Sequence, residues 1–230
     1  MTIFGKAATG IRWSSVSQAA RQLMQFATMI VLARLLAPAD FGLVGMATVV
    51  SGFVALFKDL GTSAAVIQKE NISNELLVSI FWVNAVFGII TTVILFALAP
   101  LIASFYHEPR VILILRALSV TFCISGFSIM QQALLERGLA FNVLARLEII
   151  ATAIGSTVGI GTALLGAGVW CLVYQSIAIV AVTTGQLWLS ADWKPRWTFH
   201  WQEVKAVSGY SLNLSWNFYR IHVKSVNICV

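Results

Sequence analysis

Charge is what this chain has least of. Asp and Glu together number nine and Lys and Arg fifteen in 230 residues, so 10% of positions are charged, against about 25% in an ordinary soluble domain. With 59% of residues hydrophobic, the composition is that of a membrane protein. Cysteine is also scarce. Cys123, Cys171 and Cys229 are far apart and have no histidine at metal-ligand spacing, which argues against a disulfide framework or a zinc site and leaves small apolar packing residues. No Walker loop, GxSxG, HExxH or pair of carboxylates on one helical face is present, so no catalytic residue, metal ligand or cofactor is expected. The formal charge of +6 has no basic soluble face to carry it, and nucleic acid is not an expected partner.

What the chain does have is long uncharged runs. Residues 76–106 hold no charged side chain across 31 positions, and residues 149–191 hold none across 43. A membrane helix needs about 20 residues, and 43 helical residues would extend about 64 Å, so the second run must cross twice. Its turn belongs in LLGAGVW (164–170), where glycines precede a tryptophan suited to the interface. The chain is therefore expected to be an all-α polytopic membrane bundle with spans at 13–36, 41–57, 76–105, 111–135, 147–165 and 169–189. Residues 1–203 make the six-helix bundle, and residues 204–230 begin a seventh helix with a divergent tail.

Basic residues set the expected orientation, because cytoplasmic loops accumulate Lys and Arg. With the N-terminus inside, the cytoplasmic segments hold Lys6, Arg12, Lys58, Lys69, Arg137, Arg146, Lys194, Arg196 and Lys205, and the outer turns hold Arg34, Arg110 and Arg116. Nine against three favours that orientation. Trp13, Trp82, Trp188, Trp193, Trp197 and Trp201 then fall at cytoplasmic ends and Trp170 at an outer one. The first helix does not read as a cleaved signal, since Gln18, Arg21, Gln22 and Gln25 interrupt its core. Gly155 and Gly159 form a GxxxG suited to packing helices within the bundle. Thr152, Ser156, Gln175, Thr183 and Gln186 either line a lumen or hydrogen-bond between helices.

The first helix carries the clearest functional signal. Ser14, Gln18, Arg21, Gln22 and Gln25 follow i, i+4, i+7, i+8, i+11 spacing, which puts them within about 100° on a helical wheel. Arg21 lies about 12 Å beyond Trp13, well into a hydrocarbon core about 30 Å thick. A charge there normally faces a partner or an aqueous cavity. Arg21 therefore either lines a cavity, or stretches back to the headgroups or to carbonyls of neighbouring helices.

Between the first two spans stands LARLLAPADFGLVGMA (32–47). Pro38 disfavours helix at Ala37 and should end the first span. Asp40 can cap the second helix, with Arg34 close enough to pair with it. The elbow is either a tight hairpin or part of a gate.

Together with DLGTSAAVIQKENIS (59–73), FWVNAVFGIITTVILFALAPLIASFY (81–106) and QQALLERGLAF (131–141), that block resembles the polysaccharide-transport family of lipid-linked oligosaccharide flippases. The resemblance is to the Wzx-like, colanic-acid exporter type within the multidrug, oligosaccharidyl-lipid and polysaccharide exporter superfamily. It covers about residues 10–215. It implies an inner-membrane protein that moves undecaprenyl-diphosphate-linked sugar repeat units to the periplasmic leaflet, through two facing bundles of about six helices. The partners it implies are the lipid-linked oligosaccharide, membrane lipids and polysaccharide polymerase machinery. Arg21 would meet the diphosphate, with Gln18, Gln22, Gln25 and Ser14 beside it, and Arg34, Pro38 and Asp40 would form the gate or hairpin. A diphosphate crossing hydrocarbon needs compensating charge while its polyprenyl tail stays in lipid.

The sequence leaves two rival functions open. A cation-coupled drug exporter of the same superfamily would favour an acidic residue deep in the bundle, whereas Asp40, Asp59, Glu136 and Glu148 fall near the expected helix ends. A membrane-embedded sugar polymerase or ligase would need acid, base or phosphate-binding groups gathered on an accessible loop, and the outer turns are short. Finally, WNFYRIHVKSVNICV (216–230) brings Arg220, His222 and Lys224 where an apolar span should continue. The expectation is a truncated, inactive flippase.

Overall fold

A computed structural model describes residues 3–55, 66, 73–191 and 193–195, with side chains from Ser17 onward in the first helix. The expected seventh helix, the tail at 204–230 and Asp59 lie outside the described residues. Every element among those described is a helix: α1 (Ile3–Leu35), α2 (Pro38–Ala55), α3 (Asn74–Tyr106), α4 (Val111–Gly126), α5 (Ile129–Arg137), α6 (Phe141–Leu164) and α7 (Trp170–Ser190).

The all-α membrane bundle stands, but its spans differ from expectation in three places. By length and composition, α2, α3, α6 and α7 can each cross a membrane, and α4 with α5, bent by 46°, makes a fifth if the pair is one span. At 33 residues α1 is long enough, extending about 50 Å, yet it is not among the apolar crossings. Its arginines and glutamines dilute it. It also begins at Ile3, ten residues before the expected start at Trp13. Of the six expected spans, four among the described residues, or five with the bent pair, meet the length and hydropathy of an apolar crossing, and α1 is the polar one.

The second difference is the bend itself, where one helix was expected over 111–135. The local sequence SGFS (125–128) explains it. Ser125 Oγ donates to the Phe122 carbonyl at 3.1 Å and Ser128 Oγ to the Ser125 carbonyl at 2.9 Å. These side-chain bonds compete with the helical ladder beside a glycine, a recognised cause of kinks. The Phe127 carbonyl at the break finds a donor on α7, Trp188 Nε1 at 3.0 Å, and Thr184 Oγ1 adds a second, long bond at 3.5 Å to Ile124 O, which already accepts from the Phe127 N–H. In hydrocarbon such groups must be satisfied within the protein.

Thirdly, α6 starts at Phe141 and not at Leu147. The turn before it uses Leu139 at φ 52°. Arg146 and Glu148 are consequently inside the helix.

Helix ends and close approaches follow from composition. Ser73 caps α3 by accepting from the Leu76 N–H at 3.2 Å. His107 ends it in the left-handed region at φ 55°, with the Glu108 N–H on Ala103 O at 3.1 Å. Where α3 crosses α4, Gly88 faces Gly126; a Cβ on Gly126 would meet Asn84 O at 2.9 Å and Gly88 Cα at 3.3 Å. Thr92 Oγ1 bridges the same pair by donating to Ser119 O at 2.9 Å. Gly155 and Gly159 pack against Ile179 and Gln175 of α7, so the GxxxG joins α6 to α7 inside the bundle.

The apolar core threads α2, α3, α4 and α7 through Leu43, Ala47, Leu95, Ala99, Leu115, Phe122 and Val173. A smaller cluster of Leu32, Leu36 and Cys171, with Phe41 and Ala163 against it, gathers the α1–α2 and α6–α7 turns at one end. At the opposite end Phe81 sits among Trp82, Phe127, Trp188 and Trp193, with ring centroids 5.5 to 6.2 Å apart. Trp193 Nε1 donates to Asn74 Oδ1 at 2.7 Å. Three of the tryptophans expected at a common end therefore share one box.

Candidate functional site

α1 packs against α6, and Ser17, Thr28 and Leu32 are buried along one side of it. Arg21 lies on this line, one turn past Ser17. It turns inward across the helix interface and forms an ion pair with Glu148 of α6, Nη1 to Oε2 at 3.0 Å. Its second terminal nitrogen donates to Gln18 Oε1. Glu148 is seven residues past Phe141, the first residue of α6, about two turns inside the helix. The expectation that every carboxylate falls near a helix end is therefore corrected. The cause is the early start of α6.

Thus Arg21 is met by a side chain of a neighbouring helix, a partner whose identity the α1 pattern alone did not give. The pair remains reachable, since the two side chains are 28% and 38% exposed. Gln18, Gln22 and Gln25 occupy the adjacent exposed flank of α1. Ser14 is on the same helix but its side chain is outside the described residues.

One turn beyond Arg21, Gln25 opens onto a cleft of about 300 Å³ between α1, α2 and α7. Its polar lining is Gln25, Thr28, Thr48 and Gln175; Met29, Leu32, Phe41, Val44 and Leu172 make up most of the rest. Thr28 Oγ1 donates to Met24 O at 2.8 Å and Thr48 Oγ1 to Gly45 O at 2.9 Å. The polar groups of its lining are uncharged, so the cleft suits a neutral polar or amphipathic group. Thr28 and Thr48 carried no recognisable signal in the sequence, because a threonine bonded to its own helix looks the same whether or not it borders a cleft.

The elbow is a short break between two helices. α1 ends at Leu35 and α2 begins at Pro38, where the missing N–H costs nothing because the first turn has no partner for it. The Asp40 N–H donates to Ala37 O at 3.0 Å. Asp40 thus lies in the first turn of α2, where its charge meets the positive end of the helix dipole, and Ala37 holds the cap position. Among the described residues there is no ion pair between Arg34 and Asp40, the Arg21–Glu148 contact being the only one. Arg116 lies over the Phe96 ring, 4.5 Å from its centroid, a cation–π contact that holds its charge at the α3–α4 interface.

Together the helices define a multi-pass α-helical membrane bundle. The chain belongs to the family described as polysaccharide biosynthesis protein, whose profile matches residues 31–224. It is 28% identical over 214 residues to the succinoglycan biosynthesis transport protein ExoT of Rhizobium meliloti (strain 1021), covering 93% of this chain and 43% of that one. It is 30% identical over 141 residues to the teichuronic acid biosynthesis protein TuaB of Bacillus subtilis (strain 168), covering 61% and 29%. Over 157 residues it is 27% identical to the lipopolysaccharide biosynthesis protein WzxC of Escherichia coli (strain K12), covering 68% and 32%. The chain spans less than half the length of each of these relatives. No solved structure matches it significantly.

Proposed function

We propose that this chain is one bundle of a transporter that moves undecaprenyl-diphosphate-linked oligosaccharide repeat units across a bacterial inner membrane for exopolysaccharide, capsule or lipopolysaccharide assembly. The observation that carries the reading is the family match over residues 31–224, joined to a membrane helix whose exposed flank is polar. Arg21 meets the diphosphate, and Gln18, Gln22 and Gln25 contact phosphate or sugar. The polyprenyl tail remains in lipid, because a flank open to the side separates the charged head from the apolar chain. Residues 1–203 act as the bundle unit, the N-terminus is cytoplasmic, and the elbow at Arg34, Pro38 and Asp40 closes the outer end between α1 and α2. A polysaccharide polymerase is the partner that would take the delivered unit.

Glu148, two turns inside α6, is the feature that favours an ion-coupled exporter of another cargo. Its pairing with Arg21 at 3.0 Å satisfies that carboxylate with a cation of the protein itself, and the relatives named for polysaccharide biosynthesis tip the balance. ExoT, named as a transport protein, supports transport over sugar-chain synthesis. Flipping of a fluorescent lipid-linked oligosaccharide in proteoliposomes tests the reading. Arg21→Ala in a transporter carrying this bundle should abolish flipping and headgroup binding; unchanged flipping and binding would remove Arg21 from the site.

A further inference from the structure

Glu148 touches Arg21 at 3.0 Å, yet nothing in the proposed transport requires a carboxylate there. We propose that Glu148 is a positioning residue: the resident counter-ion of Arg21, which a diphosphate headgroup must displace. The inference rests on the reading of Arg21 as the headgroup contact.

A lone arginine inside a membrane helix is costly and attracts any anion or backbone carbonyl within reach. Pairing with Glu148 removes both problems. It neutralises Arg21 while the site is empty, and together with the Gln18 contact it holds the guanidinium at the α1–α6 interface. Both side chains remain partly exposed, so an anion can approach the pair from the flank of Gln18, Gln22 and Gln25. Monoanionic phospholipid headgroups, abundant in the bilayer, offer Arg21 about what Glu148 already offers. A diphosphate carries more charge and more acceptor oxygens, and can satisfy the guanidinium fork bidentately. The competing carboxylate therefore acts as a filter that trades affinity for selectivity. Displaced from Arg21, Glu148 sits beside a like-charged headgroup, which speeds release on the far side.

The test uses the 230-residue chain in phosphatidylcholine nanodiscs, titrated with inorganic pyrophosphate and, separately, with undecaprenyl diphosphate. Glu148→Gln should bind each about tenfold more tightly, within the range typical of coupled sites, and should also begin to bind phosphatidylglycerol. Simple loss of structure would weaken binding, so a gain has no structural explanation. Arg21→Gln should lose binding in either background. If Arg21→Gln abolishes binding while Glu148→Gln leaves affinity equal or weaker, the counter-ion role is overturned and the reading of Arg21 survives. If Arg21→Gln changes nothing, that reading falls and the counter-ion role with it. A measurement on the unmodified protein covers the case in which Glu148→Gln does not fold: saturating pyrophosphate should increase carbodiimide labelling of Glu148, read by peptide mass spectrometry, and unchanged labelling overturns the proposal.

Discussion

Two residues show opposite ways of keeping a polar group inside a membrane bundle. Arg21 is matched across helices, so removing it alone leaves Glu148 uncompensated. Breaking a buried pair costs about 3–5 kcal/mol, and because these side chains are 28% and 38% exposed, Arg21→Gln should cost less, roughly 1–3 kcal/mol. The double variant Arg21→Gln with Glu148→Gln should recover most of that loss, as read from thermal unfolding in detergent. Gln131 is the converse. It is fully buried, and among the described residues neither its amide nitrogen nor its amide oxygen has a hydrogen-bond partner. A buried unsatisfied group costs about 1–3 kcal/mol, so Gln131→Met, close in volume and without that demand, should raise the unfolding midpoint.

At the scale of elements, the bend between α4 and α5 and the contact between α3 and α4 set the shape of the bundle. Trp188 satisfies a carbonyl that the bend releases, at 3.0 Å. Trp188→Phe keeps a ring in the aromatic box but removes the donor, and should destabilise by about 1 kcal/mol. The α3–α4 crossing depends on two facing glycines. Gly126→Leu drives a side chain into Asn84 O and Gly88 Cα, both backbone atoms that cannot yield without moving a helix. A loss of about 1–3 kcal/mol is expected for such overpacking, visible as a lower unfolding midpoint, while Gly161→Ala, with open space around it, should change little.

For the whole molecule, alternation of the helices places residues 107–110 and 165–169 at one end and residues 138–140 at the other. With the proposed cytoplasmic N-terminus, Glu108→Cys in a background lacking the native cysteines should react with a membrane-impermeant maleimide added from outside. Gly138→Cys should react only after permeabilisation. The reverse pattern would invert the orientation and place the α1–α2 elbow on the cytoplasmic side.

Composition pointed to the membrane class, because 10% charge leaves a chain few ways to live in water, and the uncharged runs at 76–106 and 149–191, long enough for helical spans, pointed to the helices that make up every element among the described residues. The α2, α3 and α7 boundaries were likewise legible to within a few residues, since each is a long apolar run ended by Pro, Gly or charge. Arg21 and its glutamine neighbours stood out as a polar stripe on one helix, a pattern visible at helical spacing. Its partner did not. Glu148 looked like a helix-end residue until the turn at Gly138–Ala140 showed that α6 begins at Phe141. The bend at SGFS, the cleft lined by Gln25 and Gln175, and the pairing of residues 127 positions apart all depend on how helices lie against one another, and hydropathy along a single strand of residues carries no information about that register.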